Sequence, residues 1–178
     1  MATLVNRVCR LSFVLLVLGT DEAQGDDFRD FDWGASASEV LRHESAEPLG
    51  REELDGGRFL LRFSETMFDL DATINYIFDE ECGQLIRGFF AFAEPISESH
   101  FLGVVKAFSD IYGETEKSQS LEGGHLMVWE SSSSTIQVLH GPPGAFGDAL
   151  AHVPPTSITY SPRTEKSPDC DATDTAKQ

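Results

Sequence analysis

The chain has 178 residues, with 30 Asp and Glu against 13 Lys and Arg, and a formal charge of −17 at pH 7. A field of that sign repels nucleic acid and anionic lipid and leaves basic or cationic groups as the charged partners it attracts. A chain of this length suits one domain with a core large enough to stand without staples.

In chain order, Arg7 and Arg10 come first, followed by an apolar run over residues 11–18 and by Ala23-Gln24-Gly25 ahead of an acidic stretch. A basic flank, a short apolar run and small residues before a cut form the layout of a secretory signal peptide, predicted over residues 1–25. The run is too short to cross a bilayer, which takes about 20 apolar residues. Cys9 precedes the run, whereas a lipidated cysteine would follow it. The expected location is therefore secreted or periplasmic, without a lipid anchor. Cleavage would remove Arg7, Arg10, Asp21 and Glu22 together, so the charge stays at −17. Cys82 and Cys170 would remain, and an oxidising compartment allows a disulfide between them if their Cα separation permits.

Ser36-Ala37-Ser38-Glu39 reads as a capping box that starts a short helix, carrying Val40 and Leu41 inward and ending before Pro48. Residues 58–63 alternate, with Phe59, Leu61 and Phe63 on one face, which predicts a half-buried strand. Residues 71–78 repeat the alternation, and the acidic turn through Gly83 joins them as a hairpin to a third strand over 85–92. From Ser97, the residues Phe101, Val104, Val105, Phe108, Ile111 and Tyr112 recur at helical spacing, and Gly113 supplies a stop. Residues 126–130 and 135–140 predict a second hairpin, and 157–160 a last short strand. Between them, residues 141–155 form a Gly/Pro-rich excursion that still carries Phe146, Leu150 and Val153.

The order helix, three strands, helix, three strands predicts a single α+β domain over residues 26–161. Its two helices would pack on antiparallel β-meanders in an α-βββ-α-βββ arrangement of two similar halves. Residues 162–178 are polar and acidic without an apolar period, as expected for a disordered tail.

Trp33-Gly34-Ala35-Ser36-Ala37-Ser38-Glu39-Val40, with Asp110-Ile111-Tyr112-Gly113-Glu114 and Trp129, resembles a broad group of exported bacterial proteins of unknown function. These share a W-G-x-S-x-x-E-V helix start and a second helix ending in Y-G. The helix start is more distantly similar to β-lactamase-inhibitor-like and outer-membrane assembly lipoprotein modules, whose lipidation cysteine this chain lacks. The shared positions are caps, turns and core, so the resemblance implies a fold and transfers no active site.

Residues able to do chemistry are present but scattered. Gly34-Ala35-Ser36-Ala37-Ser38 lacks the last glycine of a nucleophile elbow, and capping already accounts for Ser36. His43, His100, His125, His140 and His152 show no close ligand spacing, although His125 and His140 fall at the outer ends of the second hairpin and could approach each other. Asp69 and Asp71 read as a strand edge, and Glu65, Asp69 and Glu130 could serve hydrolysis only if folding pairs them. Trp33 and Trp129 are candidate aromatic contact residues, against a reading of both as core anchors. No catalytic, cofactor-binding or metal-ligating residue is assigned. The expected function is an exported, non-enzymatic interaction or small-ligand binding module of the cell envelope. The alternatives are a hydrolase with a site assembled from distant strands and an acidic cation-binding protein. Its partner would be an envelope protein or a small ligand, not nucleic acid, and the chain a monomer or weak oligomer.

Overall fold

The computed structural model describes residues 27–121, 124–142 and 154–163. The proposed signal segment, residues 143–153 of the excursion and the tail beyond Arg163 lie outside the described residues. The elements are α1 (Ala37–His43), β1 (Glu47–Leu54), β2 (Arg58–Met67), β3 (Leu70–Asp79), β4 (Leu85–Phe92), α2 (Glu98–Tyr112), β5 (Lys117–Leu121), β6 (Gly124–Glu130), β7 (Ser134–His140) and β8 (Thr156–Pro162). All eight strands form one antiparallel sheet in the order β1-β2-β3-β4-β8-β7-β6-β5. No described helix is long and apolar enough to cross a membrane.

This corrects the α-βββ-α-βββ expectation of two helices on separate meanders. The molecule is mostly sheet, and β8 returns between β4 and β7 to fuse everything into one layer. The two strands absent from the sequence reading, β1 and β5, are the two edges of that sheet. Seven of the eight β1 residues are exposed, and β5 is Lys-Ser-Gln-Ser-Leu, so neither strand buries a face that would impose apolar alternation. Pro48, a bulge between Pro48 and Gly50, and the charges of Arg51, Glu52 and Glu53 guard the β1 edge against further pairing.

Both helices pack on one face of the sheet. Ser36 caps α1 by accepting from the Glu39 amide at 3.2 Å, and α1 contributes Val40 to the core while Leu41, expected inside, is 55% exposed. Ser97 caps α2, which buries Phe101, Val104 and Phe108; Ile111 points away and is 65% exposed. Phe59, Leu61 and Phe63 of β2 join Ile74, Tyr76 and Phe78 of β3, Phe90 of β4, Ile158 of β8, Ile136 and Val138 of β7 and Trp129 of β6 in this core. A bulge between Ile77 and Phe78 brings Leu85 opposite Phe78, so Leu85 is buried on the helix side and the alternation along β4 changes phase there.

The segment before α1 plugs the centre of this face. Phe28 and Phe31 pair with each other through both backbone hydrogen bonds, and the Phe28 ring lies 5.2 Å from Tyr76, 5.3 Å from Phe90 and 5.1 Å from Tyr160. That ring sits where a side chain at residue 88 would be, which is why β4 carries Gly88 at this point.

Candidate functional site

On the helix side, the buried polar groups are occupied by the fold. Glu44, just past α1, has a side chain only 2% exposed. It accepts from the Tyr76 hydroxyl, from the Ala46 amide at 2.9 Å and from Arg29, whose Nε lies 3.3 Å away. Arg29 also donates to Glu65 at 2.8 Å. Burial, then the hydrogen bond to Glu44, raises the Tyr76 hydroxyl far above its ordinary range, so it stays protonated. Burial alone would raise Glu65, but hydrogen bonds from Arg29 and the Thr66 amide outweigh it and hold the carboxyl below its usual value. With the Glu44 oxygens engaged by three donors, the cluster ties residues 28–31 to α1, β2 and β3.

At the other end of the same face, β6 and β7 place His125 directly opposite His140, as the hairpin predicted. His140 is bonded to Thr156 of β8 and approaches Glu98 of α2, while Phe101 stacks over both imidazoles. His100 is exposed and bonded to Ser97 at the helix cap. His43 lies exposed in the last turn of α1, and His152 is outside the described residues.

The two tryptophans serve the core side. Trp129 is fully buried, with its indole N–H donating to the Gly113 carbonyl at 3.2 Å. Trp33 is half-buried and donates to Ser134 Oγ at 3.1 Å, while that hydroxyl donates to the Asp27 carbonyl. Cys82 sits in the β3–β4 turn, its amide bonded to Asp79 at 3.0 Å, and its sulfur is in a disulfide; Cys170 lies outside the described residues.

A cleft of about 370 Å³ opens where β3 begins and β4 ends, lined by Asp69, Leu70, Asp71, Ala93, Glu94 and Pro95. Phe68 and Asp69 both take left-handed backbone conformations there, at φ 54° and 62°, as a two-residue hairpin turn of this hand requires. Asp69 therefore lines this cleft and not a site shared with Glu65, which is tied to Arg29, or with Glu130, which pairs with Arg163 at 2.7 Å. Among the described residues, no group of three or more His, Cys, Asp or Glu is arranged to hold a metal ion.

The opposite sheet face has a different character. Register places Arg62, Asn75, Phe89, Thr159, Gln137 and Val128 in one row across six strands, ending at Lys117 on the edge. A neighbouring row runs through Thr73, Ala91, Ser157, Leu139 and Leu126. Leu60, Ile77 and Arg87 align beside them. Leu60 is buried and Ile77, Phe89, Ala91, Leu126, Val128 and Leu139 are half-buried, yet none belongs to the core cluster that both helices cover. Asn75, also buried here, is satisfied by Arg62, Thr73 and the Phe89 carbonyl. Arg87 is exposed in the middle of this surface without a carboxylate partner among the described residues. The sequence predicts the strands that carry these residues but not this continuity, which exists only once β8 joins β4 to β7.

No protein family, characterised protein or solved structure matches the chain in sequence or fold.

Proposed function

We propose that the chain is an exported, non-enzymatic interaction module of the cell envelope, secreted or periplasmic, and that the helix-free sheet face meets a protein partner. The observation that carries this reading is the band of half-buried apolar side chains centred on Phe89 and Leu139, lying outside the helix-covered core. Seven strands from β2 to β5 at about 4.8 Å spacing, and about eight residues of strand length, give a face on the order of 750 Å². That is close to the roughly 800 Å² that one partner contributes to a stable interface. The face is broad, a shape that suits a protein surface better than a small molecule. Among the described residues, Arg87, Arg58 and Lys117 on this side form no ion pair, so within a chain of charge −17 this face carries basic groups that can meet acidic ones. A disulfide at Cys82 accords with export into an oxidising compartment.

The test is a photoreactive residue placed at Phe89 and, separately, at exposed Leu102 on α2, followed by irradiation in the native host and mass spectrometry. One envelope protein cross-linked from position 89 in stoichiometric yield, and not from 102, supports the reading. Cross-links from 102 alone move the interface to the helix layer, and efficient irradiation without any protein adduct overturns a stable protein partner.

A further inference from the structure

We infer that the cross-strand pair His125 and His140, roofed by Phe101, is an acid-sensitive seam that holds the first turns of α2 to the β6–β7–β8 end of the sheet at neutral pH and loosens them on acidification. Phe101 is 3% exposed, and its ring stacks on His140 at 4.5 Å and 15° and on His125 at 5.5 Å and 20°. One aromatic ring of α2 thus rests on two imidazoles that sit directly opposite each other in the β6–β7 register.

The proton inventory of His140 explains the direction. Its Nδ1 lies 3.0 Å from Thr156 Oγ1, and its Nε2 lies 3.5 Å from Glu98 Oε2 in the first turn of α2. A neutral ring serves both: Nε2–H points to Glu98, and Nδ1 accepts the Thr156 hydroxyl proton. A second proton must go on Nδ1. The Thr156 hydroxyl, 0% exposed, would then have to turn its proton elsewhere, and the imidazolium would lose most of its hydration. His125 faces the same ring from β6, and charging both would put like charges at directly opposed cross-strand positions.

Two contacts oppose this. Glu98 attracts an imidazolium, but its side chain is 61% exposed and the attraction is screened by solvent. The Phe101 face also favours a cation. Burial prevails, so His140 is held below its ordinary value, with Glu98 raising it and His125 lowering it further. A histidine depressed in the folded state takes up its proton first in the unfolded state. Its contribution to stability is therefore complete above the unfolded value near 6.5 and declines as the pH falls through and below it.

The experiment follows imidazole signals of the full chain by NMR from pH 8 to 4.5, with thermal unfolding and amide exchange at pH 7.5 and 5. His140 is expected to titrate below the ordinary histidine value of about 6.5, and the α2 amides near Phe101 to exchange at least tenfold faster at pH 5 after correction for intrinsic rates. The double variant His125→Gln/His140→Gln should lose less thermal stability between those two pH values than the parent does. If that variant does not fold, His125→Gln alone, which removes the facing charge, should relieve part of the acid loss. His140 titrating at or above about 6.5, or acid losses equal in parent and variants, would overturn the proposal.

Discussion

Replacing Gly88 with Ala tests the packing on which the whole sheet is assembled. A Cβ at that position would come within 2.0 Å of Phe28 Cδ1 and 2.3 Å of two further ring carbons, far inside contact distance. The ring cannot simply swing aside: Phe28 is 1% exposed and boxed by Tyr76, Phe90 and Tyr160. If β4 bends to admit the methyl group, the strain should cost about 1–3 kcal/mol, as overpacking does. If Phe28 is expelled, the loss should approach the roughly 3–5 kcal/mol of a buried Phe→Ala change. Urea unfolding of the parent, Gly88→Ala, Phe28→Ala and the double variant separates these outcomes. With the ring truncated, the methyl group has room, so Gly88→Ala should cost under about 1 kcal/mol in that background, a coupling of roughly 1–3 kcal/mol between neighbours. A Gly88→Ala variant within about 0.5 kcal/mol of the parent, or strict additivity in the double variant, would refute the proposed seating of residue 28 on the β4–β8 seam.

Other consequences follow from the same contacts. Glu44→Ala leaves Arg29 with Glu65 alone and strands the buried Tyr76 hydroxyl, and should destabilise by about 2–3 kcal/mol, whereas Tyr76→Phe, which removes one donor, should cost about 1–2 kcal/mol in denaturant unfolding. Phe108→Ala, beneath α2 and in ring contact with Trp129, Tyr112 and Tyr160, should cost about 3–5 kcal/mol. Glu65 is depressed in the folded state, so its contribution is present above the unfolded carboxylate value and lost as pH falls through the folded one; Glu65→Gln should show a shallower acid limb of stability against pH than the parent.

The central strands were legible because burial on one face imposes alternation: Phe59, Leu61 and Phe63 stand out against Arg58 and Arg62. The start of α1 was legible from the Ser36 capping box and the span of α2 from the helical recurrence of its apolar residues, while the cap that Ser97 supplies to α2 is seen only in the structure. The edges were not, because strands exposed on both sides have no such imprint. Nor was the insertion of β8, a pairing of Phe90 with Ile158 that no local pattern encodes. His125 and His140 could be brought together on paper because a hairpin places its outer ends opposite each other, while Phe101 and Glu98 reach them only through the docking of α2. The Glu44 cluster joins residues 15 to 36 positions apart and carried no spacing to read.

The helix-free face is tested most directly by Phe89→Asp, with Leu102→Asp as its counterpart on α2, each checked by circular dichroism and thermal unfolding to be folded. The protein and both variants are cross-linked in the native host and recovered by affinity. The account predicts that a stoichiometric envelope partner is recovered with the parent and Leu102→Asp and lost with Phe89→Asp. Undiminished recovery with folded Phe89→Asp would contradict it.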